Sequence, residues 1–411
     1  PTESLTVFLQ QLGRGLRRCP GKDCLTVLDF IGQANQKYRF EDKFSALLSR
    51  APRSMSEEIR KGFTALPAGC YIQLEKKASE YILTNIRSSL NSRAGLVGRM
   101  ESFEDDSGQK LTFTHFIDYY HMEAKALLCR GSFSRLSVQA GMRPDFREAE
   151  EETVTKALPR LADIDSRRWI LFLQCILPRL GTADLNALTE GEKRMMEMFY
   201  VTLWKETVES WDEPGVRDKL VSLAGSPVMM AEILEVLKDR YDRIDLVDAP
   251  VDAGFDCPLD LHCTYTRDQL LAALDYRNPS HIREGVKWLP EHQTDVLMVT
   301  LNKAEKDYSP TTLYRDYSVN ERLFHWQSQS TTSADSPTGQ RYIHHRERGS
   351  RIWLFVRENK TDRFGYAEAY AFLGPAYYLQ HEGSRPMNIT WRLENPIPAK
   401  YLRRTNQLVV V

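Results

Sequence analysis

The chain has 411 residues, with 55 Lys and Arg set against 56 Asp and Glu, and seven cysteines. That length exceeds what one hydrophobic core organises, so two or three domains are expected, and a net charge near zero excludes a uniformly basic nucleic-acid coat while leaving room for a local basic stripe. Cys19, Cys24, Cys70, Cys129, Cys175, Cys257 and Cys263 are odd in number, scattered and free of C-x-x-C spacing, and no apolar run approaches the roughly 20 residues of a membrane span; a soluble cytoplasmic protein with no membrane partner is expected.

In chain order, Gln10, Gly13, Arg14 and Arg17 come first, in Q-x-x-G-R-x-x-R spacing, on a stretch to which Leu9, Leu12 and Leu16 give an apolar helical face. The apolar run from Cys24 to Ile31 reads as a buried strand. Phe40 to Leu48 has helical periodicity, Pro52 to Pro67 reads as a connector, and Ile82, Ile86 and Leu90 share one face of a further helix. From there to about Arg243 the pattern is helical. Thr189 and Glu192 form a capping box, Ser226 and Pro227 supply a cap and a first-turn proline, and Trp169, Ile170, Leu171, Phe172, Leu173 and Ile176 predict a buried central helix. Beyond the breakers between Val247 and Pro258, a second capping box at Thr266 and Gln269 heads a short helix. The remainder reads as strands between polar loops: Val296–Leu301, Ile352–Val356, Tyr370–Leu373 and Met387–Leu393.

Two segments carry resemblances. The Gln10–Arg17 spacing, running into an apolar stretch, resembles motif VI of superfamily 2 helicases, which closes the second RecA-like lobe. What the resemblance implies is a chemical role: Arg17 as arginine finger, with Arg14 beside it, reaching the γ-phosphate of ATP held by the first lobe, where guanidinium groups stabilise the charge of phosphoryl transfer. Gln10 and Gly13 complete the pattern, the glycine allowing close backbone approach. The chain carries no G-x-x-x-x-G-K-[ST] loop, so ATP and Mg2+ are expected in an intact helicase and ATP is not expected to turn over on this chain alone. A basic amphipathic helix without a ligand is the competing explanation.

The second resemblance rests on Asp295–Lys303, Tyr308–Tyr317, Leu323–Gln329, Ser336-x-Thr338-Gly339 and Phe372–Pro375. Together these resemble domain of unknown function 3427, which follows bacterial superfamily 2 helicase cores, often with a phospholipase-D-like nuclease module in front. The resemblance runs from about residue 50 to the C-terminus. It implies a C-terminal portion of an ATP-dependent helicase or translocase of phage defence or DNA restriction, with the rest of the helicase and DNA as partners. The expected fold is multidomain α+β: residues 1–50 as the end of a RecA-like lobe, 51–245 as a helical connector, and 246–411 as a β-rich, barrel-like or α+β domain.

Within that last region Tyr308, Tyr314, Tyr317 and Trp326 are interleaved with Asp316, His325 and Gln327, and a basic run follows at Arg341, Arg346, Arg348 and Arg351. Aromatic faces stack on exposed bases, amides read base edges and arginines meet phosphates, which predicts recognition of DNA, including a flipped or modified base. Packing in a barrel core is the better explanation of any one aromatic, and only the cluster points to a binding surface; a solvated loop explains the basic run as well as phosphate contact does. Glu358 and Lys360 have the E-x-K form of a metal-dependent nuclease, with Asp295 heading another strand. That pattern is common by chance, and the His and Cys spacings fit no closed zinc site; no metal site is expected. The alternatives to a reader domain are therefore a nuclease or a protein-interaction module.

Overall fold

The computed structural model describes residues 5–15, 17, 25–28, 44, 47, 59, 63, 66, 70–80, 82, 92–120, 122–277, 285–302, 316–399 and 401–402. The chain divides into two compact units, 1–145 and 146–411. No single helix among the described residues is long and apolar enough to cross a membrane.

In the first unit the helix Leu5–Gly15 carries the Gln10, Gly13 and Arg14 positions, all exposed, and Arg17 lies exposed beyond its end. The strand expected after it does not form over 25–28, which is irregular and open, with Val27 at 53% and Leu28 at 77% exposure. The physical reason is pairing: the described residues of this unit contain no strand, and an isolated strand leaves its backbone donors and acceptors without partners. Most of the helix expected over 40–48, and most of the one carrying Ile82, lie outside the described residues. Short helices from Arg93–Glu101 to Phe133–Gln139 close around Leu96, Met100, Phe103, Phe113, Phe116, Leu127 and Leu136, all fully buried.

The second unit begins with a helical layer. Helix Glu190–Trp204 starts at the expected capping box, with the Glu192 amide donating to Thr189 Oγ1 at 3.2 Å and the Thr189 amide to Glu192 Oε2 at 2.9 Å. Helix Arg167–Ile176 buries Trp169, Ile170, Leu173 and Ile176, but Leu171 is 50% exposed, so the helix is buried on one side only. At helix Pro227–Arg243 the expected Ser226 cap is replaced. Its hydroxyl donates to the Ser222 carbonyl, and the Glu148 carboxylate accepts the amides of Val228 and Met229 at 2.8 and 2.9 Å. A full negative charge suits the positive end of the helix better than a hydroxyl.

The sheet is open and mixed. Its strands are β1 (Ala249–Pro250), β2 (Asp260–Leu261), β3 (Thr264–Tyr265), β4 (Val286–Leu289), β5 (Thr294–Thr300), β6 (Tyr317–Ser318), β7 (Leu323–Gln327), β8 (Arg351–Arg357), β9 (Tyr370–Glu382) and β10 (Asn388–Leu393). β1 and β2 pair with each other. The main sheet runs β4-β5-β8-β9-β10-β7-β6, with β3 on β9; β5 and β8 are parallel and the other pairs antiparallel. The fold is thus α+β with an open sheet rather than a barrel. β5 is buried along its whole length, as a strand covered on both faces must be. On one side Leu297, Val299, Leu354, Val356, Ile389 and Trp391 join Tyr342 of helix Pro337–Ile343 in a single core. On the other, Phe255 stacks on His292 at 4.1 Å and lies 6.5 Å from Trp353, next to Phe372. β9 is far longer than Tyr370–Leu373. It passes Gly374, whose φ of +89° sits at a register shift against β8, so the Gly-Pro pair makes a bulge instead of ending the strand.

Candidate nucleic-acid interface

β7 alternates strictly: Phe324 and Trp326 are buried, while Leu323, His325 and Gln327 are half-buried on the opposite face. That alternation separates residues that are neighbours in sequence. Trp326 is 5% exposed and packs edge-on against Tyr342 at 5.6 Å, with Trp391 at 6.2 Å, so it is a core residue and not a stacking platform. Asp316 is likewise buried, and its carboxylate accepts the Gln327 amide at 3.0 Å, holding the chain beside β7.

The basic run is split in the same way. Arg341 donates two hydrogen bonds to the fully buried Asp295 carboxylate, at 2.7 and 2.9 Å, and its guanidinium lies 4.3 Å over the Trp288 ring. It is an internal ion pair, unavailable to phosphate. Burial raises the Asp295 carboxyl above the usual carboxylate range, against the lowering effect of Arg341. Arg351 donates to the His292 carbonyl at 3.3 Å and fills the space beside Gly254, which makes it a brace for the β4–β5 turn. Arg346 and Arg348 remain exposed. Tyr308 and Tyr314 lie outside the described residues.

What the structure does assemble is the face of β9, β10, β7 and β6 opposite the Trp326–Tyr342–Trp391 core. Register places Gln380, Thr390, His325 and Tyr317 in one row across the four strands. The Tyr317 and His325 rings are stacked at 4.8 Å and 14°. In the row on one side Gln327 donates to Asn388 at 2.9 Å; in the row on the other, Arg392 sits between Leu323 and Tyr377. Arg346 reaches this corner from the loop after helix Pro337–Ile343, its guanidinium carbon 5.1 Å from the centre of the Tyr377 ring. The Tyr377 hydroxyl donates to Glu394, which with burial raises its pKa, while Arg346 and Arg392 pull the other way. His345 fixes the loop: its buried ring meets the Ser350 carbonyl at 3.2 Å through Nδ1 and accepts the Tyr378 amide at 3.1 Å through Nε2. Burial lowers its pKa, so the ring is held neutral and able to accept.

Residues 259–404 match a domain of unknown function (DUF3427). The match takes in β2 to β10 and the helices between them, and it begins about two hundred residues later than the resemblance read from sequence. No curated protein matches the chain. Within the DUF3427 domain the face brings together Tyr317, His325, Gln327 and Arg346, with Arg348 in the same loop, and excludes Trp326, Asp316, Arg341 and Arg351. Tyr377, Arg392, Asn388, Thr390 and Gln380 belong to it and carried no sequence signal, because their adjacency is made by strand pairing alone.

The nuclease alternative finds little in the geometry. Asp295 is the second residue of β5, paired with Ile352 near the start of parallel β8, whereas Glu358 follows the end of β8. The strand length puts them about 20 Å apart. Glu368 lies by Glu358, but its carboxylate accepts the backbone amides of Glu358 and Asn359. Among the described residues one trio, Asp248, Asp260 and Cys263, has side-chain ligand atoms close enough for a metal. Arg167 and Arg168 already pair with its two carboxylates at 2.6 and 2.7 Å, and burial pushes the Cys263 thiol far up, away from the thiolate a metal needs.

Proposed function

We propose that the DUF3427 domain recognises nucleic acid within the C-terminal part of an ATP-dependent helicase or translocase, cytoplasmic and acting in bacterial phage defence or DNA restriction. One observation carries the recognition half: Arg346, Tyr377 and Arg392 converge at one corner of the sheet face opposite the Trp326 core, and the Tyr317–His325 stack lies at the edge of that same face. Exposed arginines beside planar rings and amides are the groups that meet phosphates and bases. The motor half is supported by the motif VI resemblance and by the exposure of Gln10, Gly13, Arg14 and Arg17, as groups reaching toward the first lobe of a helicase need. ATP and Mg2+ would be held by that first lobe.

Combined replacement of Arg346, Arg348 and Arg392 by Ala is expected to weaken binding by a similar factor for every sequence. The dependence of log K on log salt becomes shallower by about 0.7–0.9 for each phosphate that is no longer neutralised. Affinity and slope both equal to the parent's would dismiss the recognition reading. The motor reading is tested in the intact parent by Arg17→Ala, following nucleic-acid-stimulated ATP hydrolysis; unimpaired turnover removes Arg17 from the ATP site.

A further inference from the structure

We infer that the ligand of this sheet face is single-stranded nucleic acid, lying diagonally from the Arg346–Tyr377–Arg392 corner to the Tyr317–His325 stack. The inference rests on the reading that the DUF3427 domain binds nucleic acid, and narrows it. Width is the first argument. Four strands at about 4.8 Å spacing make a face about 14 Å across, wider than the roughly 12 Å major groove that admits a helix or a two-stranded ribbon, and far wider than the minor groove. The central side chains, Thr390, His325 and Asn388, are short and rise from a broad surface. They cannot be threaded into a groove.

Stacking is the second argument. Tyr317 and His325 form a flat pair of rings at 4.8 Å, half-buried on the edge of the sheet. Only an unstacked base offers a free face to extend such a pair, since a base inside a duplex has both faces covered. Charge is the third. The corner presents the exposed Arg346, Arg348 and Arg392, with Glu382 and Glu394 close to the same strands. That is enough cation to track one backbone through two or three phosphates, and too little to hold a duplex by counterion release alone. The Gln327 and Asn388 amides lie alongside, where the edges of a stacked base fall.

The test is a titration of the full chain with labelled oligothymidine and with a duplex of the same length, over a salt series. Binding to oligothymidine is expected to be about tenfold tighter or more, with a salt slope no steeper than about −2, corresponding to at most three phosphates. Tyr317→Ala is expected to lose about 5- to 150-fold in single-strand affinity, whereas Tyr317→Phe, which keeps the ring, binds as the parent does. Melting curves accompany both variants. Should the Ala variant melt early, Tyr317→Leu, which keeps apolar bulk without a π face, takes its place and is expected to show the same loss. Duplex binding as tight as single-strand binding, or parent-like affinity in the folded Ala or Leu variant, overturns the inference and leaves nucleic-acid recognition standing. No binding to either nucleic acid overturns both.

Discussion

Arg341→Met is expected to destabilise the 146–411 unit by about 3–5 kcal/mol, the usual cost of removing one partner from a buried ion pair. For a unit of this size that corresponds to a melting temperature lower by on the order of 10 °C. Asp295 is fully buried and takes both of its strong hydrogen bonds from the Arg341 guanidinium, which ties helix Pro337–Ile343 to the start of β5. Without that partner the carboxylate is stranded where water cannot reach it. The loss also depends on pH. Burial raises the Asp295 carboxyl in the folded protein and Arg341 opposes the rise, so in the variant the folded-state pKa climbs further. Between the unfolded value near 4 and that raised value the folded chain binds more protons than the unfolded one, and stability therefore falls as pH rises through the window. Denaturation at about pH 5 and about pH 8 should show a smaller deficit at the lower pH. A deficit of equal size at both would mean that lost packing over Trp288, and not the stranded charge, is responsible. Asp295→Asn added to Arg341→Met should recover part of the loss, since a neutral amide costs less to bury than a carboxylate.

This pair also shows what the sequence could and could not carry. Local signals were legible. The capping boxes at Thr189 and Thr266 form as written, and the β-branched, aromatic runs expected at 296–301 and 352–356 fall in strands Thr294–Thr300 and Arg351–Arg357. Each depends only on residues within a few positions. Arg341, by contrast, looks like a member of a basic loop until a helix and a strand 46 residues apart are placed side by side. The same holds for Tyr377 and Arg392, which face each other across β9 and β10 only because of a bulge that sets their register. The run 25–28 failed in the opposite direction: apolar composition favours a strand, but pairing decides whether one forms.

Trp326 brings these considerations to one residue. Trp326→Ala is expected to lower stability by about 3–5 kcal/mol, because the indole is 5% exposed and packs against both Tyr342 and Trp391, so its loss leaves a cavity in the core. The two residues beside it obey a different rule. His325 and Gln327 point to the face opposite the core, so Tyr317→Ala, which strips the ring stacked on His325, is expected to cost binding far more than folding, and Trp326→Ala the reverse. Chemical denaturation and nucleic-acid titration of the two variants, the latter at a temperature where both are folded, separate the roles. If Trp326→Ala keeps the parent's stability while affinity drops, the indole must leave the core to meet a ligand, and the division of β7 into a packed face and a binding face is wrong. If instead it melts early and the folded fraction binds as the parent does, the run from Leu323 to Gln327 owes its mixed composition to two separate demands, one on each side of the same strand.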